Sequence, residues 1–94
     1  MALTAERIED VVAIASRRFA AGEAVGTVVK AVKEAHPDLS VTGTFASIMA
    51  EEPHREESRF DLFLVDGSGH CWTITTEPDT ATGVVIAVRD EDAA

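Results

Sequence analysis

Apolar side chains recur along the first third of the chain with a helical period. Ile8, Val11, Val12, Ala15 and Phe19 stand at i, i+3, i+4, i+7 and i+11, which is one face of a helix. The spacing predicts a helix over residues 4–20. Thr4 is placed to cap it, and Leu3 and Ile8 occupy the two positions of a hydrophobic staple. Glu6, Glu9 and Asp10 near its start and Arg17 and Arg18 near its end complement the helix dipole. Gly22 stands where a left-handed glycine closes a helix. A second stripe, Val25, Val28, Val29, Val32 and Ala35, predicts a helix over 23–35. Gly26, Thr27 and the valines are weak helix formers, but tertiary packing of an apolar stripe supplies most of a helix's stability. Pro37 ends this helix and forces His36 out of helical geometry. The short link at Ala21 and Gly22 makes the pair a helical hairpin.

After Pro37 the period changes to two. Leu39, Val41 and Phe45 alternate with Ser40 and Thr42, a strand over 39–45. Residues 46–58 are polar, contain Pro53 and read as a mobile loop with room for one helical turn. Residues 59–66, 70–76 and 83–89 read as strands, 77–82 as a turn and 90–94 as a frayed tail. Gly67-Ser68-Gly69 fits a three-residue hairpin loop with a glycine bulge. That register sets Leu64 opposite Trp72, Leu62 opposite Ile74 and Phe60 opposite Thr76. It gathers the large apolar groups of both strands on one face, to be joined by Val84, Ile86 and Val88. The expected fold is a single α+β domain over 1–94. Its N-terminal helical hairpin packs on one face of a three- to four-stranded antiparallel sheet, in the order α-α-β-β-β-β.

The opposite face would carry Asp61, Phe63, Val65, Cys71, Thr73, Thr75, Val85 and Ala87. Two helices cover one face of a sheet and leave the other open. Phe63, Val65, Cys71 and Val85 are therefore the expected partner-binding patch, unless residues 46–58 fold over it. A partner protein would dock on that face or add to an edge strand.

Composition narrows the function classes. The chain has 94 residues with 17 acidic and 8 basic side chains, a net charge of −9. Residues 1–38 carry six acidic and five basic groups; residues 39–94 carry eleven and three. No basic stripe exists to neutralise phosphates, which excludes nucleic acid and anionic membrane surfaces as natural partners. No apolar run is long enough to span a bilayer. Nothing at the start of the sequence resembles a secretory signal, so a cytoplasmic location is expected. Cys71 is the single cysteine, which excludes an internal disulfide and a cysteine-cluster zinc site.

Candidate chemistry is sparse. Cys71 has no base at local spacing, tyrosine is absent, and no lysine follows Lys33. No catalytic residue is assigned, no cofactor is expected, and a non-enzymatic role is anticipated. The alternative is a carrier of a metal or metal cluster through Cys71 with His70, His54 or a carboxylate. Against it, His70 and Cys71 are strand neighbours and point to opposite faces. Glu51, Glu52, Glu56 and Glu57 crowd the 46–58 segment as a solvated acidic loop.

The run Phe60-Asp61-Leu62-Phe63-Leu64-Val65-Asp66-Gly67, followed by His70-Cys71 and by Ala81-Thr82-Gly83-Val84-Val85, resembles a known set of proteins. These are small, acidic, uncharacterised proteins encoded among nitrogen-fixation genes of proteobacteria. The resemblance covers roughly residues 23–89. It implies a cytosolic accessory factor near nitrogenase assembly. Those proteins have no assigned activity, so no residue role follows from the likeness.

Overall fold

The computed structural model describes residues 3–49, 52–57, 59–67 and 73–89. Helix α1 spans Ala5–Ala20 and α2 spans Val25–Ala35. Thr4 caps α1 by accepting the backbone N–H of Arg7 at 3.1 Å, and the staple residues Leu3 and Ile8 are both buried. The helix closes on Gly22, whose φ is +85°. The N–H of Gly22 bonds the carbonyl of Phe19 and that of Glu23 the carbonyl of Arg18, a Schellman pair.

The strands are β1 Ser40–Phe45, β2 Arg55–Glu56, β3 Phe60–Asp66, β4 Thr73–Thr75 and β5 Gly83–Val88. They form one five-stranded sheet in the order β1-β5-β3-β2, with β4 also paired to β3. The fold is α+β with the helical hairpin on one face, as expected, but the sheet is mixed rather than antiparallel. β5 returns between β1 and β3, so β1 and β5 run parallel while β5 and β3 run antiparallel. The reason lies in β5 itself. All six of its residues are buried, which suits a central strand and not the sheet margin.

The hairpin register also differs from expectation. Leu64 lies opposite Thr75, Val65 opposite Ile74 and Asp66 opposite Thr73. β4 is thus shifted along β3 relative to a three-residue loop, and Ile74 turns to the face away from the helices. Leu64 and Leu62 find their apolar cross-strand partners on β5 instead, as Val84 and Ile86.

The main core lies between helices and sheet. Ile8, Val11, Ala15, Phe19, Val28 and Val32 from the hairpin meet Val41, Phe60, Leu62, Leu64, Val84, Ile86 and Val88. Phe19 and Phe60 stack at 5.4 Å between ring centroids. A smaller core fills the other face: Phe63, Val65, Val85 and Ala87 lie under Ala46, Met49 and Ile74. A 3₁₀ turn at Ala46–Ile48 follows β1 directly and begins this covering segment.

Candidate docking edge

The expected apolar patch is not exposed. Phe63, Val65 and Val85 are 1%, 5% and 3% exposed, because the segment after β1 and the side chain of Ile74 lie over them. This corrects the reading of Phe63, Val65 and Val85 as a surface. Of the expected mobile loop 46–58, Ala46 and Met49 lie on this face, while Arg55–Glu56 form β2, paired with β3, in place of loop. Cys71 and His70 lie outside the described residues. His54 is half-buried just before β2, its backbone N–H bonded to the carbonyl of Leu62 at 2.8 Å. Among the described residues no group of three or more His, Cys, Asp or Glu side chains is placed to hold a metal ion.

The sheet has two margins, and the chain treats them differently. The outer side of β3 is covered by β2 and β4 set end to end. Arg55 of β2 reaches Glu9 on α1 and Glu57, and its contact with Glu9 holds the guanidinium charged. Arg89 bonds Asp61 at 2.6 Å and the carbonyl of Glu57 at 3.0 Å, tying the end of β5 to β3 and to the segment after β2. At the far end of the helical hairpin, Arg7 pairs with Asp38 at 2.6 Å and His36 with Asp10 at 2.7 Å. The Arg7 guanidinium keeps the Asp38 carboxyl below its usual range, and Asp38 raises Arg7 in turn.

The other margin is β1, and among the described residues nothing pairs with its outer side. Ser40 donates its N–H inward to the carbonyl of Thr82 at 3.3 Å. Backbone direction alternates along a strand, so Thr42 and Thr44 also bond toward β5. The N–H groups of Val41, Gly43 and Phe45 then point outward. Natural edge strands are usually blunted by lysine, proline, a bulge or a cover. The β1 sequence Ser-Val-Thr-Gly-Thr-Phe contains no charged residue and no proline.

Helix α2 packs over one face of β1 and leaves its outer side uncovered by any strand among the described residues. A Cβ on Gly43 would come within 2.9 Å of Cγ2 of both Val25 and Val29, so glycine is what allows α2 to settle onto β1. At the C-terminal end of β1 this packing opens into a cavity of about 380 Å³. Phe19, Val25, Phe45 and Val88 supply its apolar wall, with Glu23 and Arg59 also lining it. Phe45 is 49% exposed, the exposed large apolar side chain of the described surface.

Charge is distributed in a way the sequence totals hide. Arg7, Arg18, Arg55 and Arg89 are all paired with carboxylates. Glu23 at the cavity belongs to one of those pairs, with Arg18 at 3.3 Å. Arg17, Lys30, Lys33 and Arg59 make no ion pair among the described residues. Arg17 is on α1, the two lysines are on α2, and Arg59 lines the cavity. Gly43, Phe45, Val25, Lys33 and Arg59 were not legible as a site. The alternation through Val41 and Phe45 was the signal available, but it says nothing of which strand ends at the margin.

Comparison with known proteins adds a family and little more. Residues 22–89, more than two thirds of the chain, match a family described as a family of unknown function, DUF6129. No curated protein and no solved structure matches the chain. Among the described residues no helix is long and apolar enough to cross a membrane.

Proposed function

This chain belongs to the DUF6129 family of unknown function, and from its own geometry we propose that it is a small accessory domain that binds another protein by strand addition at β1. The observation that supports this reading is the outer edge of β1, which nothing pairs among the described residues, with three backbone N–H groups aimed outward beside a half-exposed phenylalanine. In strand addition, main-chain hydrogen bonds supply affinity and side-chain pockets supply choice. Both elements are present here, the second as the cavity beside Phe45. The likeness to proteins encoded among nitrogen-fixation genes supports seeking the partner among proteins of that process.

The test is selection of displayed random peptides against the folded protein, followed by residue-resolved amide exchange with the selected peptide bound. Binding is expected to slow exchange at Val41, Gly43 and Phe45 and to leave β2 and β4 unchanged. Protection confined to the helices or to the β2 and β4 margin would contradict the proposal.

A further inference from the structure

We infer that the segment received by β1 is an extended, acidic peptide of a different protein, with an apolar residue seated beside Phe45. This rests on the strand-addition reading and adds the chemistry of the occupant.

The direction of α2 sets the layout. Val25 lines the cavity with Phe45, and Val25 and Val29 lie over Gly43, so α2 runs antiparallel to β1. Val28 and Val32 are fully buried, and Val25 and Val29 are half-buried on the side that meets β1. At about 100° per residue, the next positions round the helix beyond Val29 are Lys33, Gly26 and Lys30. All three are exposed. Lys33 therefore stands on the flank of α2 beyond Val29, toward the start of β1, whereas Lys30 lies opposite the buried stripe and faces away from the sheet. At the other end of the edge, Arg59 lines the cavity.

Two cations without an ion pair among the described residues, Lys33 and Arg59, thus border a strand that carries no charge, in a chain of net charge −9. Arg7, Arg18, Arg55 and Arg89 hold carboxylates, and Arg17 and Lys30 are exposed on the outer faces of the helices. An incoming strand with carboxylates beside Lys33 and Arg59 would meet complementary charge, whereas a basic one would meet repulsion. The same feature disfavours a second copy. Antiparallel pairing of two β1 strands would bring the lysine flanks of two α2 helices together, between chains that already repel. The apolar wall of Phe19, Val25, Phe45 and Val88 sets the second requirement, one apolar side chain near the C-terminal end of β1.

The test uses three synthetic peptides of equal length and alternating pattern, each with isoleucine near one end. The remaining outward positions are glutamate, serine or lysine. Binding is measured by fluorescence anisotropy, and the site is read by amide exchange at Val41, Gly43 and Phe45. The glutamate peptide is expected to bind roughly tenfold tighter than the serine peptide, and the lysine peptide more weakly than both. The advantage should vanish in the Lys33→Glu variant, whose exposed substitution leaves the core untouched, and persist in Lys30→Glu, on the opposite face of α2. It should also shrink as added salt screens exposed charges. Equal binding of all three peptides, with the β1 amides shielded, would overturn the acidic assignment and keep strand addition. Absence of β1 shielding by any peptide would overturn both. Protein-concentration-dependent shielding without peptide would assign the edge to a second copy and overturn the inference.

Discussion

Phe63→Glu is expected to leave the protein unfolded at neutral pH. The ring is 1% exposed and sits with Val65, Val85 and Ala87 under Ala46, Met49 and Ile74. A carboxylate placed there would be surrounded by apolar atoms with no cation in that cluster. Burying an unpaired charge costs several kcal/mol or more. A domain of this size has only about 5–15 kcal/mol of stability in all. Far-UV circular dichroism should show no cooperative melt near pH 7. Linkage supplies a second signature. Burial raises the pKa of a carboxyl above its unfolded value, so structure should return as pH falls and the new group protonates. Phe63→Leu keeps the apolar character and should stay folded. A Phe63→Glu protein that melts like the wild type would show that this face is open. It would return Phe63, Val65 and Val85 to the role of a surface patch.

Gly83→Ala is expected to disturb the junction on which the docking edge depends. A Cβ at Gly83 would fall 2.3 Å from the carbonyl oxygen of Ser40 and 2.7 Å from its Cβ. The first of these is backbone and has no alternative rotamer to escape into. Ser40 and Gly83 are the first pair of the parallel β1–β5 ladder, and the Ser40 N–H bonds Thr82 next door. The methyl group must therefore push β1 away from β5 at its start. Overpacking of this kind costs roughly 1–3 kcal/mol. Urea unfolding should report a loss in that range, and amide exchange should show lost protection first at Thr42. Wild-type stability with a protected Thr42 would mean that the two strands do not approach as closely as described.

These two variants mark where reading the sequence succeeded and where it stopped. The helices were legible to within two residues because each condition agreed: an apolar stripe, a capping threonine, a glycine at φ +85° and a terminating proline. The faces of β3 and β5 were legible too, since alternation alone separates Phe60, Leu62 and Leu64 from Phe63 and Val65. Strand order was not. Nothing local distinguishes a last strand that pairs at the margin from one that inserts between β1 and β3. The crossover is decided by total burial, to which all of β5 is committed.

The register of β4 failed for a related reason. Matching Leu62 to Ile74 assumed that the hairpin partner supplies the apolar neighbours of β3, whereas β5 supplies them. Ile74 is then free to face the second core. That second core was the decisive miss for the site. The polar 46–58 segment reads as solvent-facing, yet Ala46 and Met49 within it are enough to close over Phe63. With that face closed, the outer side of β1, unpaired among the described residues, becomes the surface that calls for a partner.

The central claim is that the outer edge of β1 is unpaired in the isolated protein and available to another chain. Residue-resolved hydrogen exchange on dilute free protein tests it most directly. An alternating pattern is predicted: slow exchange at Thr42 and Thr44, whose N–H groups bond β5, and fast exchange at Val41, Gly43 and Phe45. Uniform protection from Val41 to Phe45 would contradict the account, because it would mean that the edge is already covered.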